Sequence, residues 1–376
     1  MSVVKREKLG KSMRYFDYNL LFLIIFLLCF GLVMVYSSSS YTSMKKYGDG
    51  AFYLKLQVRN ILLGLIPMIF LTRTDYRRWK NLGVLAYFGS LVLCLLVFVP
   101  QLNRSSHGSS RWLQIGPISF QPSEIAKLAL IIFLAMLIEK ITKQMGKFST
   151  IVKVVLIMSP LLGVVAISNL STAVIIFGIM VCMLFVASPK YAQFILVGIA
   201  GMVFVVFFVA FAGYRGGRVQ AWLHPETAPA KDVYQTNMGL YAIGSGGLFG
   251  KGLGESLQKM GNVPEAQNDM IFSIICEELG LFGAVCVILL FVLMLWRMMI
   301  IANNAQDLFG ALIVTGVMSH IAIQVILNIA VVTNTIPNTG VILPFISYGG
   351  TSLIFLMAEM GLVLSVSRGI RLEKID

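Results

Sequence analysis

The chain has 376 residues, of which 57% are hydrophobic and 12% are charged, and its mean hydropathy is +0.84. This exceeds the roughly half-apolar composition of soluble globular domains and indicates a membrane protein. The net charge is +13, but the basic residues lie at the ends of apolar segments and form no basic face with interleaved aromatic residues. No nucleic-acid partner is therefore expected.

Ten apolar segments are each about long enough for a bilayer, which takes about 20 residues per helix. They cover residues 17–38, 52–72, 80–100, 120–139, 150–168, 170–187, 191–213, 270–295, 308–333 and 345–366. An even number places both termini on one side of the membrane. Lysine and arginine concentrate in the connections on that side, so the positive-inside rule predicts that both termini are cytoplasmic.

The predicted fold is an all-α polytopic membrane protein with about ten transmembrane helices in a single domain, residues 1–376. Residues 1–16 form a cytoplasmic tail, and residues 101–119 form a polar, turn-rich extracellular loop. A large extracellular loop, residues 214–269, joins helices seven and eight; its length predicts a function. The stretch "AISNLSTAVI" must turn between two helices within very few residues.

Acidic residues gather around "NVPEAQNDMIFSIICEELG", residues 262–280, in a chain that otherwise avoids charge. If a helix begins near Pro264, where a proline costs no hydrogen bond, then Asp269 and Glu277 share one helix face with Ser273. Asp269 lies at the outer mouth and Glu277 about 12 Å deeper. Helix capping and ion pairing explain such acids in soluble proteins, but an ionisable group at membrane depth indicates function. This reasoning favours a functional Asp269 and leaves both roles open for Glu277.

Other polar residues interrupt the apolar segments. Glu124 and Lys127 in "FQPSEIAK" are three residues apart, close enough to pair on a helix, and either a helix-pinning salt bridge or a phosphate contact by Lys127 fits them. A polar stripe at four-residue intervals is expected to make interhelical hydrogen bonds. It consists of His320, Gln324 and Asn328. Glu359 needs an internal partner that the sequence does not identify.

Two glycine-containing stretches predict irregular backbone. "GSGGLFGKGLGES" lacks the spacing of a nucleotide-binding phosphate loop and lies on the outer side, so its glycines predict a tight bend that re-enters against the membrane. In "LPFISYGGTSL", Pro344 is expected to open the last segment. Gly349 and Gly350 allow either close helix approach or a broken helix beside a cavity.

Four stretches in chain order carry a resemblance to a known family. They are "RWLQIGPISFQPSEIAKL", "YAIGSGGLFGKGLGES", "VPEAQNDMIFSIICEELGLFG" and "NTGVILPFISYGGTSL". Together they resemble the SEDS family (shape, elongation, division, sporulation) of bacteria, and the FtsW and SpoVE branch more than RodA. The resemblance covers essentially the whole chain. It implies a ten-helix glycosyltransferase of the bacterial cytoplasmic membrane that polymerises lipid II into peptidoglycan strands. The implied partners are a class B penicillin-binding protein and other divisome or elongasome membrane proteins.

The resemblance also assigns residues. Asp269 falls on the family's catalytic aspartate, Trp112 falls on its motif tryptophan, and Glu124 and Lys127 fall on the acid and base of "SEIAK". One departure is that Asn169 and Ser171 stand where "QPDLGTA" usually has Asp and Gly. A chemical role for that Asp therefore does not transfer to this chain.

The implied reaction is a single in-line displacement that inverts an α-linked donor sugar to a β-linked product. It needs a general base on the acceptor hydroxyl and stabilisation of the departing pyrophosphate. Asp269 is the expected base; alternatively it holds a divalent cation, Mg²⁺ or Mn²⁺. Further expected substrate contacts are Arg111, Trp112, Glu124, Lys127, Arg215, Arg218 and Glu277.

Two rival functions fit the same sequence. A lipid II flippase would use polar residues along a cavity without any covalent step, and a scaffold would only position its transpeptidase. An enzyme should lose activity when Asp269 becomes Asn, whereas a flippase should tolerate the change near its outer exit.

Overall fold

The computed structural model describes residues 13–106, 109–115, 118–190, 193–194, 197–199, 201 and 213–372. Helices dominate these residues, as predicted for an all-α membrane protein. In chain order the α-helices are α1 Tyr18–Tyr47, α2 Phe52–Arg73, α3 Gly83–Leu96, α4 Pro122–Ile141, α5 Phe148–Ser168, α6 Leu170–Ala187, α7 Gly213–Leu223, α8 Ala230–Gly246, α9 Ile271–Asn303, α10 Leu308–Val332 and α11 Thr351–Gly369. Two 3₁₀ turns, Tyr76–Leu82 and Thr142–Gln144, precede α3 and follow α4.

Eight of the helical stretches in the described residues are long and apolar enough to cross a membrane, so the chain is a multi-pass membrane protein. They match eight of the ten predicted segments. The predicted segment 120–139 forms α4. This helix has 20 residues, but charged residues near both of its ends keep it out of the eight apolar stretches. The predicted segment 191–213 lies largely outside the described residues. The number ten therefore stays a prediction.

The two described ends of the chain lie side by side. Strand β1, Met13–Arg14, pairs antiparallel with β5, Arg371–Leu372. Next to this pair, the buried Asp17 caps α1, and its backbone N–H donates to Ser367 Oγ at 2.8 Å. Arg297 Nη2 donates to Asp17 Oδ2 at 2.7 Å. Both described ends therefore lie on the same side of the bundle, as the predicted even number of crossings requires. The cytoplasmic location of this side stays a prediction.

The centre of the bundle consists of α4, α10 and α11. Among the 18 most apolar consecutive residues of each helix, 67% are buried in α10 and 72% in α11, against 28% in α2. These central helices carry Lys127, His320 and Glu359, buried polar residues that need protein partners because hydrocarbon offers them none. Peripheral helices instead turn large apolar side chains outward, such as Phe70 and Phe282.

Both predicted outer loops contain regular structure that the sequence did not reveal. Strands β2 Asn103–Ser106, β3 Ser109–Ile115 and β4 Ile118–Phe120 form an antiparallel sheet in the order β2-β3-β4. Strand β3 packs on α4 and α5. The second loop contains α7 and α8. Its two helices put side chains of the loop beside the start of α9.

Helix α9 is broken at Gly280, which has φ 67° and ψ −168°. A re-entrant hairpin, residues 247–253, fills the break. The N–H groups of Lys251 and Gly252 donate to the carbonyls of Glu277 and Glu278 at 2.9 and 3.0 Å, and two N–H groups after the break donate back to the hairpin. Non-helical backbone survives at membrane depth only when protein satisfies its polar groups. The tight bend predicted from the glycines is present and packs against α9, while its re-entry against the membrane stays a prediction.

Two helices begin later than predicted. The expected helix from Pro264 begins at Ile271, and the last segment begins at Thr351 rather than near Pro344. Glu265 and Phe345 have φ of 53° and 63°, a left-handed backbone that cannot belong to a right-handed helix. Asp269 therefore lies in a turn before α9, and its placement on one helix face with Ser273 and Glu277 was wrong.

The tight connection predicted in "AISNLSTAVI" is present, since only Asn169 separates α5 from α6. Its side-chain oxygen accepts a hydrogen bond from Thr172 N at 3.3 Å and caps α6. An aspartate or asparagine can both fill this capping role. Ser171 Oγ donates to the Thr339 carbonyl at 3.0 Å and ties the turn to the α10–α11 connection.

Candidate active site

Asp269 lies where α8, α10 and the start of α9 meet. The residue is 9% exposed. Gln235 Nε2 from α8 donates to Asp269 Oδ1 over a long 3.4 Å, and Asn338 Nδ2 donates to Gln235 Oε1 at 3.0 Å. The carboxylate is thus held weakly, by neutral amides, and it keeps acceptor capacity for a ligand.

The main chain of Asp269 is held more firmly than its side chain. Asn328 Nδ2 of α10 donates to the Asp269 carbonyl at 2.8 Å and to the Val341 carbonyl at 2.7 Å. One buried amide therefore joins the turn before α9 to the connection after α10. At this position the polar stripe bonds to connections rather than to another helix; the interhelical bonding predicted for the stripe is confirmed at His320 of α10, whose Nδ1 lies 2.7 Å from Glu359 Oε2 of α11.

A cavity of about 160 Å³, here called the amide cavity, lies beside Asp269 between α7, α8 and the α10–α11 connection. Gln235 belongs both to its wall and to the surroundings of Asp269. The lining consists of Arg218, Ala221, Trp222, Pro225, Val233, Gln235, Thr236, Asn237, Asn334 and Asn338. Asp269 thus stands next to a polar space that a ligand can enter.

The pKa of Asp269 is raised to about 7, first by burial and then by the negative charge of Glu265, against smaller lowering effects of a backbone hydrogen bond, Arg218 and Gln235. Desolvation disfavours the ionised carboxylate because it loses hydration without gaining a close cation. A carboxylate with a pKa near neutrality is a competent general base at physiological pH.

The same carboxylate is a limited metal ligand. Among the described residues no group of three His, Cys, Asp or Glu side chains gathers in a geometry that could hold a metal ion. Mg²⁺ commonly takes only one or two carboxylates from a protein when substrate phosphates complete its shell. Asp269 therefore suits a divalent cation only when phosphates of the substrate supply the other ligands.

Glu124 and Lys127 belong to a buried polar chain that also includes His320 and Glu359. Lys127 Nζ lies 3.0 Å from Glu124 Oε2 and 2.9 Å from His320 Nε2. His320 Nδ1 lies 2.7 Å from Glu359 Oε2, which identifies the partner that Glu359 was expected to have. The predicted pairing of Glu124 with Lys127 is confirmed.

This polar chain leaves little room for a substrate. The adjoining cavity is about 10 Å³, space for about one water molecule. The side chains of Lys127 and Glu124 are 3% and 9% exposed. In this conformation the ammonium of Lys127 is occupied by protein, so the expected phosphate contact stays a prediction that requires helix movement.

Glu277 and the adjacent Glu278 bind the outer loop. Lys251 Nζ donates to Glu277 Oε1 at 2.7 Å, and Ser256 Oγ donates to the other oxygen of Glu277. Lys259 Nζ donates to Glu278 Oε1 at 2.7 Å. Both carboxylates are fully buried. The contacts of Glu277 described by the structure serve to fix residues 247–260, and its expected substrate role stays a prediction.

The remaining residues expected to contact the substrate are Arg111, Trp112, Arg215 and Arg218. Trp112 and Arg111 are on β3, where Trp112 pairs with Arg104 of β2. Arg218 Nη1 of α7 donates to the Asn338 carbonyl at 3.2 Å and so lies within the surroundings of Asp269. The side chain of Arg215 lies outside the described residues. Of the expected cations, the structure places Arg218 next to the amide cavity.

Sequence reasoning missed the amides around Asp269. Asn328 was identifiable as the third member of the polar stripe. Asn338 lies in a connection with no regular spacing to mark it, and Gln235 and Trp222 lie in helices that were predicted as loop. Only the packing of α7 and α8 against α9 and α10 brings them together.

Comparison with known proteins gives concordant matches. Stage V sporulation protein E of Bacillus subtilis is 39% identical over 94% of this chain and 97% of that protein. A protein of Trichlorobacter lovleyi named probable peptidoglycan glycosyltransferase FtsW is 37% identical over 98% of each chain. These identities exceed the 26% to the RodA structure below, in agreement with the predicted branch.

Two solved structures share the fold. One is a chain from a study of the structural coordination of polymerization and crosslinking by a peptidoglycan synthase complex, with a TM-score of 0.74, 26% identity and coverage of 94% of this chain and 98% of that one. The other is the rod shape determining protein RodA of Thermus thermophilus, with a TM-score of 0.69, 26% identity and coverage of 94% and 97%. The family model FTSW_RODA_SPOVE, described as cell cycle protein, matches residues 18–372. The chain belongs to the FtsW/RodA/SpoVE family.

Proposed function

We propose that this protein is a peptidoglycan glycosyltransferase that polymerises lipid II at the outer face of the bacterial cytoplasmic membrane, with Asp269 as its general base. The observation that carries the proposal is the setting of Asp269, a buried carboxylate with a pKa of about 7 beside a polar cavity. The relatives named peptidoglycan glycosyltransferase support the same activity.

In the proposed step, Asp269 accepts the proton of the acceptor hydroxyl as its oxygen forms a bond to the anomeric carbon of the donor. The bond from that carbon to the pyrophosphate oxygen breaks, and the electron pair leaves with the pyrophosphate. Arg218 is the cation best placed to attract the departing charge. Asn328 and Gln235 position Asp269 through its carbonyl and carboxylate.

The alternative role for Asp269 is to hold a divalent cation instead of acting as the base. Mg²⁺ or Mn²⁺ held by Asp269 and the substrate would neutralise charge on the pyrophosphate. We further propose a class B penicillin-binding protein as partner, which crosslinks the strands that this chain polymerises. The relationship to a peptidoglycan synthase complex that coordinates polymerization and crosslinking supports this pairing.

The test is glycan polymerisation from purified lipid II by the wild type and by Asp269→Asn. Each protein is assayed with a cognate class B penicillin-binding protein, with and without divalent cation. Polymer from the wild type alone supports the proposal, and its dependence on the cation separates a base from a metal ligand. Equal polymer from both proteins removes Asp269 from the mechanism, and none from either favours the flippase or the scaffold.

A flippase is the second candidate because the polar chain of Glu124, Lys127, His320 and Glu359 runs through the membrane-embedded core. Lipid II transfer between leaflets of proteoliposomes measures this activity directly. Transfer that persists in Asp269→Asn and disappears in Lys127→Met would support the flippase.

A further inference from the structure

The amide cavity has a lining of unusual chemistry for a membrane protein. Its lining includes four residues that carry carboxamides, Gln235, Asn237, Asn334 and Asn338, together with Trp222. Gln235 and Asn338 already bond to each other, and a carboxamide keeps a second N–H and a second lone pair after one such bond. Each carboxamide has both a donor and an acceptor. A set of this kind matches a ligand whose groups also donate and accept, such as the hydroxyl and acetamido groups of a sugar ring.

The charge of the lining argues against an anion as the main ligand. Among the described residues, Arg218 is the single cation in the lining, and no carboxylate is present. Its guanidinium already donates to the Asn338 carbonyl at 3.2 Å. Strong phosphate sites use several charge-assisted hydrogen bonds, commonly bidentate from arginine. The cavity therefore suits a neutral polar group better than a pyrophosphate.

Trp222 lines the cavity with its indole N–H already bonded to protein. The indole Nε1 donates to the Asn334 carbonyl at 2.9 Å, which fixes the ring and uses its only donor. What remains for a ligand is an apolar aromatic surface, which can contact the C–H face of a sugar.

The size of the cavity limits the ligand to one ring. Its volume of about 160 Å³ is smaller than the roughly 300–1,000 Å³ of sites for drug-sized ligands. A single sugar ring is the part of a disaccharide that such a space accommodates.

We propose that the amide cavity binds one N-acetylated sugar ring, the ring of the acceptor that carries the reacting hydroxyl. This inference rests on the proposed function. The acceptor's reacting ring is the one remote from its own pyrophosphate, so its subsite needs hydrogen-bonding amides rather than cations. Gln235 belongs to the cavity wall and donates to Asp269 Oδ1, which places the ring's hydroxyl beside the base.

The first experiment measures binding without turnover. The purified full-length protein is titrated with the β-1,4-linked disaccharide of N-acetylglucosamine, which lacks both lipid and pyrophosphate, while tryptophan fluorescence is recorded. We expect a saturable change that is absent in Trp222→Phe and retained in Trp296→Phe. Trp296 is a matched control because it is 57% exposed on α9, away from the cavity lining. Asn237→Ala should weaken binding about tenfold, the effect of losing a hydrogen bond in a polar site.

Inorganic pyrophosphate is the competing probe. It should neither reproduce the change in Trp222 fluorescence nor displace the disaccharide. A response to pyrophosphate alone, or no response of the wild type to the disaccharide, would overturn the proposal.

The second experiment is kinetic. It distinguishes a failure of the proposed sugar subsite from a failure of the proposed glycosyltransferase activity. In the polymerisation assay, Asn237→Ala should raise the KM for the acceptor about tenfold. Disaccharide binding without polymerisation by the wild type would retain the subsite and reject the glycosyltransferase. Polymerisation with an unchanged KM in Asn237→Ala would retain the enzyme and reject the subsite.

Discussion

Asp269 and Glu277 lie eight residues apart, Asp269 in the turn before α9 and Glu277 in its first turns, yet their surroundings are opposite. The Asp269 carboxylate accepts a long side-chain hydrogen bond from Gln235, makes no ion pair among the described residues and adjoins a cavity. Glu277 is fully buried and receives a lysine, serine hydroxyls and two backbone N–H groups. The first carboxylate keeps hydrogen-bonding capacity, as the proposed general base requires, and the second holds a loop in place.

The comparison teaches that acidity at membrane depth does not by itself identify a catalytic group. The two acids differ in whether protein donors fill the hydrogen-bonding capacity of the carboxylate, in which case the carboxylate is called saturated here. A saturated carboxylate stabilises the fold because its removal leaves buried partners unpaired. An unsaturated one costs stability when ionised, and such a cost persists in proteins mainly where function requires it.

The largest expected effect is on catalysis at Asp269. Asp269→Asn should lower polymerisation roughly a hundred- to ten-thousand-fold, the range for a lost general base. Its melting temperature in detergent at pH 8 should not fall, because the ionised carboxylate that it replaces is poorly solvated. Lost activity together with a large drop in melting temperature would place Asp269 with the structural acids.

Glu277→Ala should show the reverse pattern. The loss of stability should be about 1–3 kcal/mol, because Ser256 and two backbone N–H groups lose a buried acceptor while Lys251, whose side chain is 29% exposed, keeps part of its hydration. Thermal unfolding in detergent measures the loss. The double variant Glu277→Gln with Lys251→Met should recover part of it, since no unpaired charge remains. An unchanged melting temperature in Glu277→Ala would contradict the anchoring role.

A smaller effect is expected at Asn328, which positions Asp269 through its carbonyl. Asn328→Leu should lower kcat about tenfold with little change in KM, because misplacing a catalytic group affects mainly the reaction step. Gln324→Leu is the matched control: it lies one turn earlier on α10 and loses a hydrogen bond to the Ile342 carbonyl instead. Equal effects of the two variants would indicate general loosening of α10.

The smallest expected effect is a shift of the pH profile. Polymerisation should rise with pH through about 7 as Asp269 loses its proton. Glu265→Gln removes a negative charge that raises this pKa, so the rising limb should move to lower pH. Arg218→Gln removes a positive charge and should move the limb to higher pH. Profiles of kcat/KM measure both shifts, and movement in the same direction would refute the assignment of the limb to Asp269.

The raised pKa of Asp269 also makes a stability prediction. The native carboxyl binds a proton that the unfolded chain has lost between pH about 4 and about 7, so stability should fall as pH rises across that window. The melting temperature of the wild type relative to Asp269→Asn should decline over this range and level off above it. A constant difference would show that Asp269 has an ordinary pKa.

The sequence by itself determined the membrane class, most helix positions, the pairing of Glu124 with Lys127 and the choice of Asp269. Each depends on short-range physics: apolar length against bilayer thickness, helical spacing, and the cost of charge in hydrocarbon. The four family motifs added the activity. None of these signals depends on how distant segments pack.

The tertiary structure decided which acids are saturated and which residues surround Asp269. Left-handed backbone at Glu265 moved Asp269 out of the helix, a local choice that the apolar pattern does not encode. Gln235, Asn328 and Asn338 come from three separate segments, and only packing brings their amides together. Lysines at 251 and 259 neutralise Glu277 and Glu278 because the hairpin folds back into the break at Gly280. Partner choice among buried polar groups is a property of the folded bundle, since the chain offers more potential partners than the space around each group allows.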